Sequence, residues 1–177
     1  IDGKEAWNKS KIYRFIGKDI VYHHYLFLPA MRLGEGEYKL PEFIPTRGHL
    51  LLEGDKFSKS RGWYVSLRDF LKLFPADYLR YYLTAITPYS QSDVNFDWED
   101  FKNKINNELI ANIGNFIHRT LTFIWSNYEG KVPKNETKDE IDKQLEQKIK
   151  TIAADVGEEI EKVELNKALR KIVEFSA

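Results

Sequence analysis

Cysteine is missing from all 177 residues, which rules out disulfides, thiolate zinc sites and thiol catalysis within the chain. A dominant sign of charge is missing too: 27 basic and 27 acidic side chains leave a formal net charge of +0. No global basic field attracts nucleic acid, so any RNA contact has to come from a local patch. No apolar run approaches the roughly 20 residues of a membrane span. No signal peptide is visible, so the expected location is cytoplasmic, with no membrane partner. Repeats and low-complexity tracts are absent. What is present, 42% hydrophobic and 31% charged residues, suffices for one good core or two small ones. The chain starts at Ile1 rather than Met, and residues 173–177 lie inside an apolar-periodic stretch. Both ends read as cut, so the expectation is a piece of a longer protein.

Along the chain the pattern changes from α/β to all-helical. Residues 12–16 form a short apolar run broken by Gly17-Lys18-Asp19, and an aromatic and aliphatic stretch follows to Met31. That order predicts a strand, a glycine turn and a helix, the start of a βα unit. Residues 46–52 read as one strand ending at the Glu53-Gly54-Asp55 turn, with a basic, serine-rich loop beyond it. From Leu67 the period becomes helical, and Pro75 opens a second helix that ends at Thr87-Pro88. Asp97 is placed to cap a long helix, because its side-chain oxygen can satisfy the exposed amides of the first turn. Trp98, Phe101, Ile105, Leu109, Ile113, Phe116 and Phe123 recur at helical spacing, which predicts one buried face. A loop is expected over 129–138. A last helical stripe follows from Ile141 through Leu145, Ile149 and Ile160 to Val163, breaking near Asn166.

The strongest chemical feature is Lys56-Phe57-Ser58-Lys59-Ser60-Arg61-Gly62. Two lysines three apart, interleaved with hydroxyls and placed after a strand and tight turn, can close over a polyphosphate. An ammonium is a compact charge able to follow negative charge as it builds on a leaving group. Serine hydroxyls add short-range donors, and Gly62 lets the loop move. On composition alone, a solvated basic loop is the competing reading.

This loop resembles the second signature of class I aminoacyl-tRNA synthetases, KMSKS, with Phe57 replacing the methionine by another apolar residue. The resemblance implies that Lys59, assisted by Lys56, is catalytic. Ser58, Lys59 and Ser60 would bind ATP, which enters with Mg2+ as a substrate. The run Phe15-Ile16-Gly17-Lys18-Asp19-Ile20-Val21-Tyr22-His23-His24 narrows the resemblance to the methionyl-tRNA synthetases. There the positions matching Gly17 and Asp19 lie at the adenylate ribose, and those matching Ile20 and His24 at the methionine pocket. The physics is compatible with each. A carboxylate at a strand's carboxyl end can hold ribose hydroxyls, and an unbranched thioether suits an adaptable apolar wall. For Tyr22-His23-His24-Tyr25 the structural alternative is one hydrogen-bonded core histidine beside a surface one. Adjacent histidines point apart on a helix, so no metal site is expected here.

Further along, Thr46-Arg47-Gly48-His49-Leu50 matches the family strand near which adenine is recognised, implying ATP contacts at His49 and through the Leu50 backbone. Asp77-Tyr78-Leu79-Arg80 matches a connector that touches the tRNA stem. Glu108, Asn112, Asn115 and Arg119 are spaced to share one polar strip on a helix. By the family match, Asn115 and Arg119 would contact the tRNA anticodon, whose unstacked bases suit such polar edges. The match is not extended to Glu108.

The implied architecture has three parts. Residues 1–62 would be the second half of a Rossmann-like catalytic domain, 63–97 a connector, and 98–177 part of an anticodon-binding helical bundle. The implied partners are methionine, ATP and the methionine tRNA. The first class I signature, His-x-Gly-His, is not found around His23, His24, His49 or His118. In the family it precedes this region, as does a zinc-bearing insertion, so zinc is implied only upstream. The chain alone is therefore expected to be inactive. Two alternatives stay open: half of another class I synthetase, and a non-catalytic RNA-binding module.

Overall fold

Short apolar runs punctuated by glycine and proline build a first unit made of Ile1–Trp63 and Tyr89–Asn95. A second unit, mostly helical, is made of Tyr64–Pro88 and Phe96–Ala177. The computed structural model describes residues 3–134 and 138–177. Asn135, Glu136 and Thr137, part of the loop expected over 129–138, lie outside the described residues, as do Ile1 and Asp2.

In the first unit, α1 (Gly3–Lys9) precedes β1 (Ile16–Gly17), which pairs in parallel with β2 (Thr46–Arg47). The pairing starts earlier, at the Tyr13–Phe43 bridge, and runs through Arg14 N–H to the Phe43 carbonyl (2.9 Å) and Ile16 N–H to the Pro45 carbonyl (3.0 Å). A parallel pair needs a long crossover. Here it is a 3-10 turn (Lys18–Ile20), a π-helical turn (His23–Phe27) and α2 (Leu28–Glu35), closed by Gly36 in the left-handed region. The strand, glycine turn and helix expected for this segment are present.

The single strand expected over 46–52 is instead two. β2 ends at Arg47, and β3 (Leu50–Leu52) belongs to a second sheet of order β4-β3-β5, where β4 is Asp55–Lys56 and β5 is Val94–Phe96. The break falls at Gly48, where an added Cβ would sit 2.1 Å from the Ser92 carbonyl oxygen. Only glycine admits that approach of backbone to backbone. β3 and β4 form an antiparallel hairpin with Leu52 opposite Asp55. The two turn residues, Glu53 and Gly54, both have positive φ, as a tight hairpin of matching twist requires.

The second unit holds α3 (Leu67–Leu73) and α4 (Ala76–Ile86), then α5 (Trp98–Lys104), a ten-residue π-helical segment (Ile105–Gly114) and α6 (Asn115–Tyr128). It closes with α7 (Glu140–Glu161) and α8 (Leu165–Ser176). The caps follow the side chains. Asp97 accepts from the Asp100 amide at 2.8 Å, and Asp139 with Asp142 forms a reciprocal cap on α7. The core is aromatic: Phe70, Tyr82, Phe96 and Phe101 are buried, with Tyr82 edge-on to Phe96 and Phe101 at centroid distances of 5.2 and 5.4 Å.

The expected helical stripes hold only in part. Phe101 and Ile105 are buried, yet Phe116 and Phe123 are 50% and 60% exposed, and on α7 Ile141, Leu145, Ile149 and Ile160 are exposed as well. Between α5 and α6 the π-helical segment widens the turn from i→i+4 to i→i+5, so the stripe through Phe116 and Phe123, counted at 3.6 residues per turn, drifts off the packed face. The helical break comes at 162–164, just before Asn166, with Val163 buried at positive φ. Among the described residues no helix is long and apolar enough to cross a membrane.

Candidate nucleotide and RNA sites

The lysine–serine loop grows from the β3–β4 hairpin. Lys56 ends β4, and the chain turns back so that Ser58 and Trp63 exchange both backbone hydrogen bonds, at 2.8 and 2.9 Å. Gly62, at positive φ, donates to the Lys59 carbonyl at 3.1 Å and closes the tip. Trp63 Nε1 donates to the Leu52 carbonyl at 3.0 Å, anchoring the loop's base to β3. Ser58 Oγ lies 3.3 Å from Ser60 Oγ and accepts from the Arg61 amide at 3.3 Å. Lys56 and Lys59 are exposed, and among the described residues neither ammonium meets a carboxylate. The loop therefore offers two uncommitted cations and a hydroxyl pair on a pinned frame, a set suited to a polyphosphate.

In the same unit, Gly17 ends β1, and an added Cβ there would fall 2.5 Å from Asp19 Oδ1. Glycine thus lets the Asp19 carboxylate fold back over the strand's carboxyl end. Asp19 is exposed and Ile20 half-buried in the 3-10 turn. His24, half-buried on the π-helical turn, has a buried Nδ1 with no hydrogen-bond partner among the described residues. Burial holds its pKa below the usual imidazole range, with the charges of Arg14 and His23 adding to the effect. His23 is exposed, so one histidine of the pair faces inward and the other outward. Tyr25 donates to the Ile44 carbonyl at 2.7 Å, tying this turn to the segment before β2.

His49 and Leu50, at the start of β3, are half-buried. The His49 amide donates to Asp93 Oδ1 at 2.7 Å, and the same oxygen receives Lys18 Nζ at 2.6 Å. These donors, first the lysine and then the amide, hold the Asp93 carboxyl below its ordinary range. Sequence reasoning passed over Asp93, which sits in a polar loop 44 residues from His49 with no motif around it. Among the described residues no group of three potential metal ligands is gathered.

The polar strip of the second unit divides. Glu108 accepts from Tyr81 at 3.0 Å and pairs with Lys104 at 3.1 Å, lining a small cavity with Asn166 and Arg170. Asn112 donates to the Val173 carbonyl at 3.2 Å and serves to hold α8. Asn115 and Arg119 are exposed and line an open cleft of about 580 Å³ with Asn112, Phe116 and Ser176. Among the described residues neither side chain forms a hydrogen bond. The widened turn explains why four residues spaced for one strip do not share one environment.

Residues 3–121 match the family described as tRNA synthetases class I (M). The chain is 47% identical, over 99% of its length, to the methionine–tRNA ligase of Methanopyrus kandleri, and 44% identical, over 97%, to that of Methanocaldococcus jannaschii. It spans about a quarter of the length of these relatives, 26% and 27%. A solved Mycobacterium tuberculosis methionyl-tRNA synthetase in complex with methionyl-adenylate superposes with a TM-score of 0.86 at 27% identity. That superposition covers 96% of this chain and 33% of the other.

Proposed function

Because this chain belongs to the class I methionyl-tRNA synthetases, we propose that the protein carrying it activates methionine with ATP and transfers it to the methionine tRNA. The carrying observation is likeness along the whole chain, 47% identity over 99% of it, together with a pinned loop that offers Lys56 and Lys59 without carboxylate partners among the described residues. In the first step a methionine carboxylate oxygen attacks the α-phosphorus of Mg2+-bound ATP, the bond to the bridging oxygen breaks, and pyrophosphate leaves. Lys59, with Lys56 assisting, stabilises the negative charge that develops on the departing phosphates. Ser58 and Ser60 donate hydrogen bonds to the same phosphates. In the second step a hydroxyl of the tRNA's terminal ribose attacks the methionyl carbonyl and AMP departs.

Gly17 and Asp19 hold the adenylate ribose, and His49 with the Leu50 backbone lies at adenine. Ile20 and His24 line the methionine pocket, where a neutral imidazole suits an uncharged thioether better than a cation would. Residues 1–62 act as the second half of a Rossmann-like catalytic domain, 63–97 as the connector, and 98–177 as part of the anticodon-binding helices. Asn115 and Arg119 reach the anticodon. Support for their role is their exposure on an open cleft with unspent donors.

Calorimetric titration of the full-length protein with non-hydrolysable methionyl-, leucyl- and isoleucyl-adenylate analogues tests the amino-acid assignment. The methionyl analogue is expected to bind about 100-fold tighter than the branched ones, near the upper end of what apolar pocket shape supplies. Equal binding, or preference for a branched analogue, would remove methionine as the substrate.

A further inference from the structure

We propose that Asp93 is a positioning residue for amino-acid activation, holding the Gly17-Lys18-Asp19 turn and the strand that launches the lysine–serine loop on one carboxylate oxygen. The inference rests on the function proposed above. Its geometry is independent of that reading.

Residues 89–95 return to the first unit after the excursion through α3 and α4 and run into β5, which lies beside β3 as a strap along its edge. Asp93 Oδ1 takes Lys18 Nζ and the His49 amide together, at 2.6 and 2.7 Å. Val94 N–H donates to the His49 carbonyl at 2.9 Å, so both backbone groups of His49 are held by the strap. Asn95 Oδ1 accepts from the Gly54 amide at 2.7 Å. The strap therefore grips β3 where it begins and at the turn where it ends, and Lys56 follows that turn by two residues. Gly48 fixes the strap's distance, since its backbone lies too close to Ser92 for any side chain.

The Lys18–Asp93 pair is about one-third exposed on each side, so as an ion pair it contributes little to stability. Its consequence is geometric. Lys18 stands between Gly17 and Asp19, and His49 leads into β3, whose hairpin partner β4 carries Lys56. A carboxylate that fixes both limits how far the ribose side and the phosphate side of a bound nucleotide can drift apart. Misplacement by about 1 Å of groups remote from the chemistry can cost on the order of 100-fold in rate.

The test uses the full-length protein and the variants Asp93→Asn, Asp93→Ala, Lys18→Met and Lys18→Arg. Methionine-dependent pyrophosphate exchange is measured per active site, titrated by the burst of adenylate formation. Asp93→Asn is expected to lower kcat per site about 10- to 100-fold, with KM for methionine changed less than about twofold and Tm nearly unmoved. Asp93→Ala falls further, Lys18→Met falls like Asp93→Asn, and their double variant falls no further than the worse single one. Lys18→Arg stays within a few-fold of wild type.

Unchanged kcat per titrated site in Asp93→Asn, or a loss confined to Tm and the titratable fraction, overturns the proposal. A wild type without methionine-dependent exchange sinks the assigned function instead. The same variants are then judged by hydrogen exchange. There Asp93→Asn is expected to speed exchange over residues 49–62 while leaving α2 unchanged, and equal protection over 49–62 overturns the positioning role.

Discussion

A half-buried imidazole whose charged neighbours are cations resists protonation, and His24 is held that way. Burial, then Arg14 and His23, keep its pKa below 6.5. The unfolded chain therefore binds a proton that the folded chain refuses, and stability falls as pH is lowered through that interval. His24 contributes its full share above about pH 6.5, and the share is lost as pH drops toward the lowered folded value. Urea midpoints at pH 7.5 and 5.5 check this: wild type is expected to lose more stability than His24→Gln on going to the lower pH. Equal losses would contradict the placement of His24. At this scale the sequence was readable where chemistry is local. Lys56, Lys59 and Asp19, whose roles are proposed, stood in contiguous runs, as did the split of His23 and His24, although the buried Nδ1 of the inward histidine lacks the expected hydrogen bond among the described residues. Asp93 did not, because both of its partners lie more than 40 residues away and a lone aspartate in a polar loop carries no pattern.

Helix ends were equally readable, for the same local reason. The Asp97 side chain meets an amide three residues on, and Pro75 leads directly into α4. Strand breaks and burial were not, since they depend on what comes to lie alongside. Gly48 looked like one residue of a continuous strand until Ser92 was found against it. Gly48→Ala forces a Cβ into the Ser92 carbonyl and is expected to cost about 1–3 kcal/mol, as overpacking does. A denaturant midpoint within error of wild type would show that the strap can yield. In the helical unit, the Tyr82 hydroxyl donates to Asp100 at 2.9 Å and accepts from the Asp97 amide at 3.3 Å, bridging α4 to the start of α5. Tyr82→Phe leaves both groups short of a partner and is expected to cost about 1–3 kcal/mol, measured by urea denaturation. The stripe through Phe116 and Phe123 misled because helical periodicity assumes one pitch, and residues 105–114 have another.

Across the whole chain, an α/β part followed by helices was legible from the change in period. The interleaving of the two units was not. Residues 89–95 carry no sign in their composition that they rejoin the first unit, and a contiguous division of the chain passes over that return. The reaction assigned to the protein also exceeds what this chain holds, since it spans about a quarter of its relatives' length and lacks a His-x-Gly-His signature. Phosphates held by one set of donors alone have only half a clamp, so the 177-residue chain by itself is expected to give no methionine-dependent exchange.

The most direct measurement is amino-acid-dependent exchange of pyrophosphate into ATP, run on the full-length protein with each of the twenty amino acids and repeated with Lys59→Ala. Exchange with methionine alone is expected, together with a drop of roughly 100-fold or more in kcat when Lys59 is removed and an unchanged melting temperature, because that side chain is exposed. Exchange driven by another amino acid, or methionine-dependent exchange that survives Lys59→Ala intact, would contradict the account.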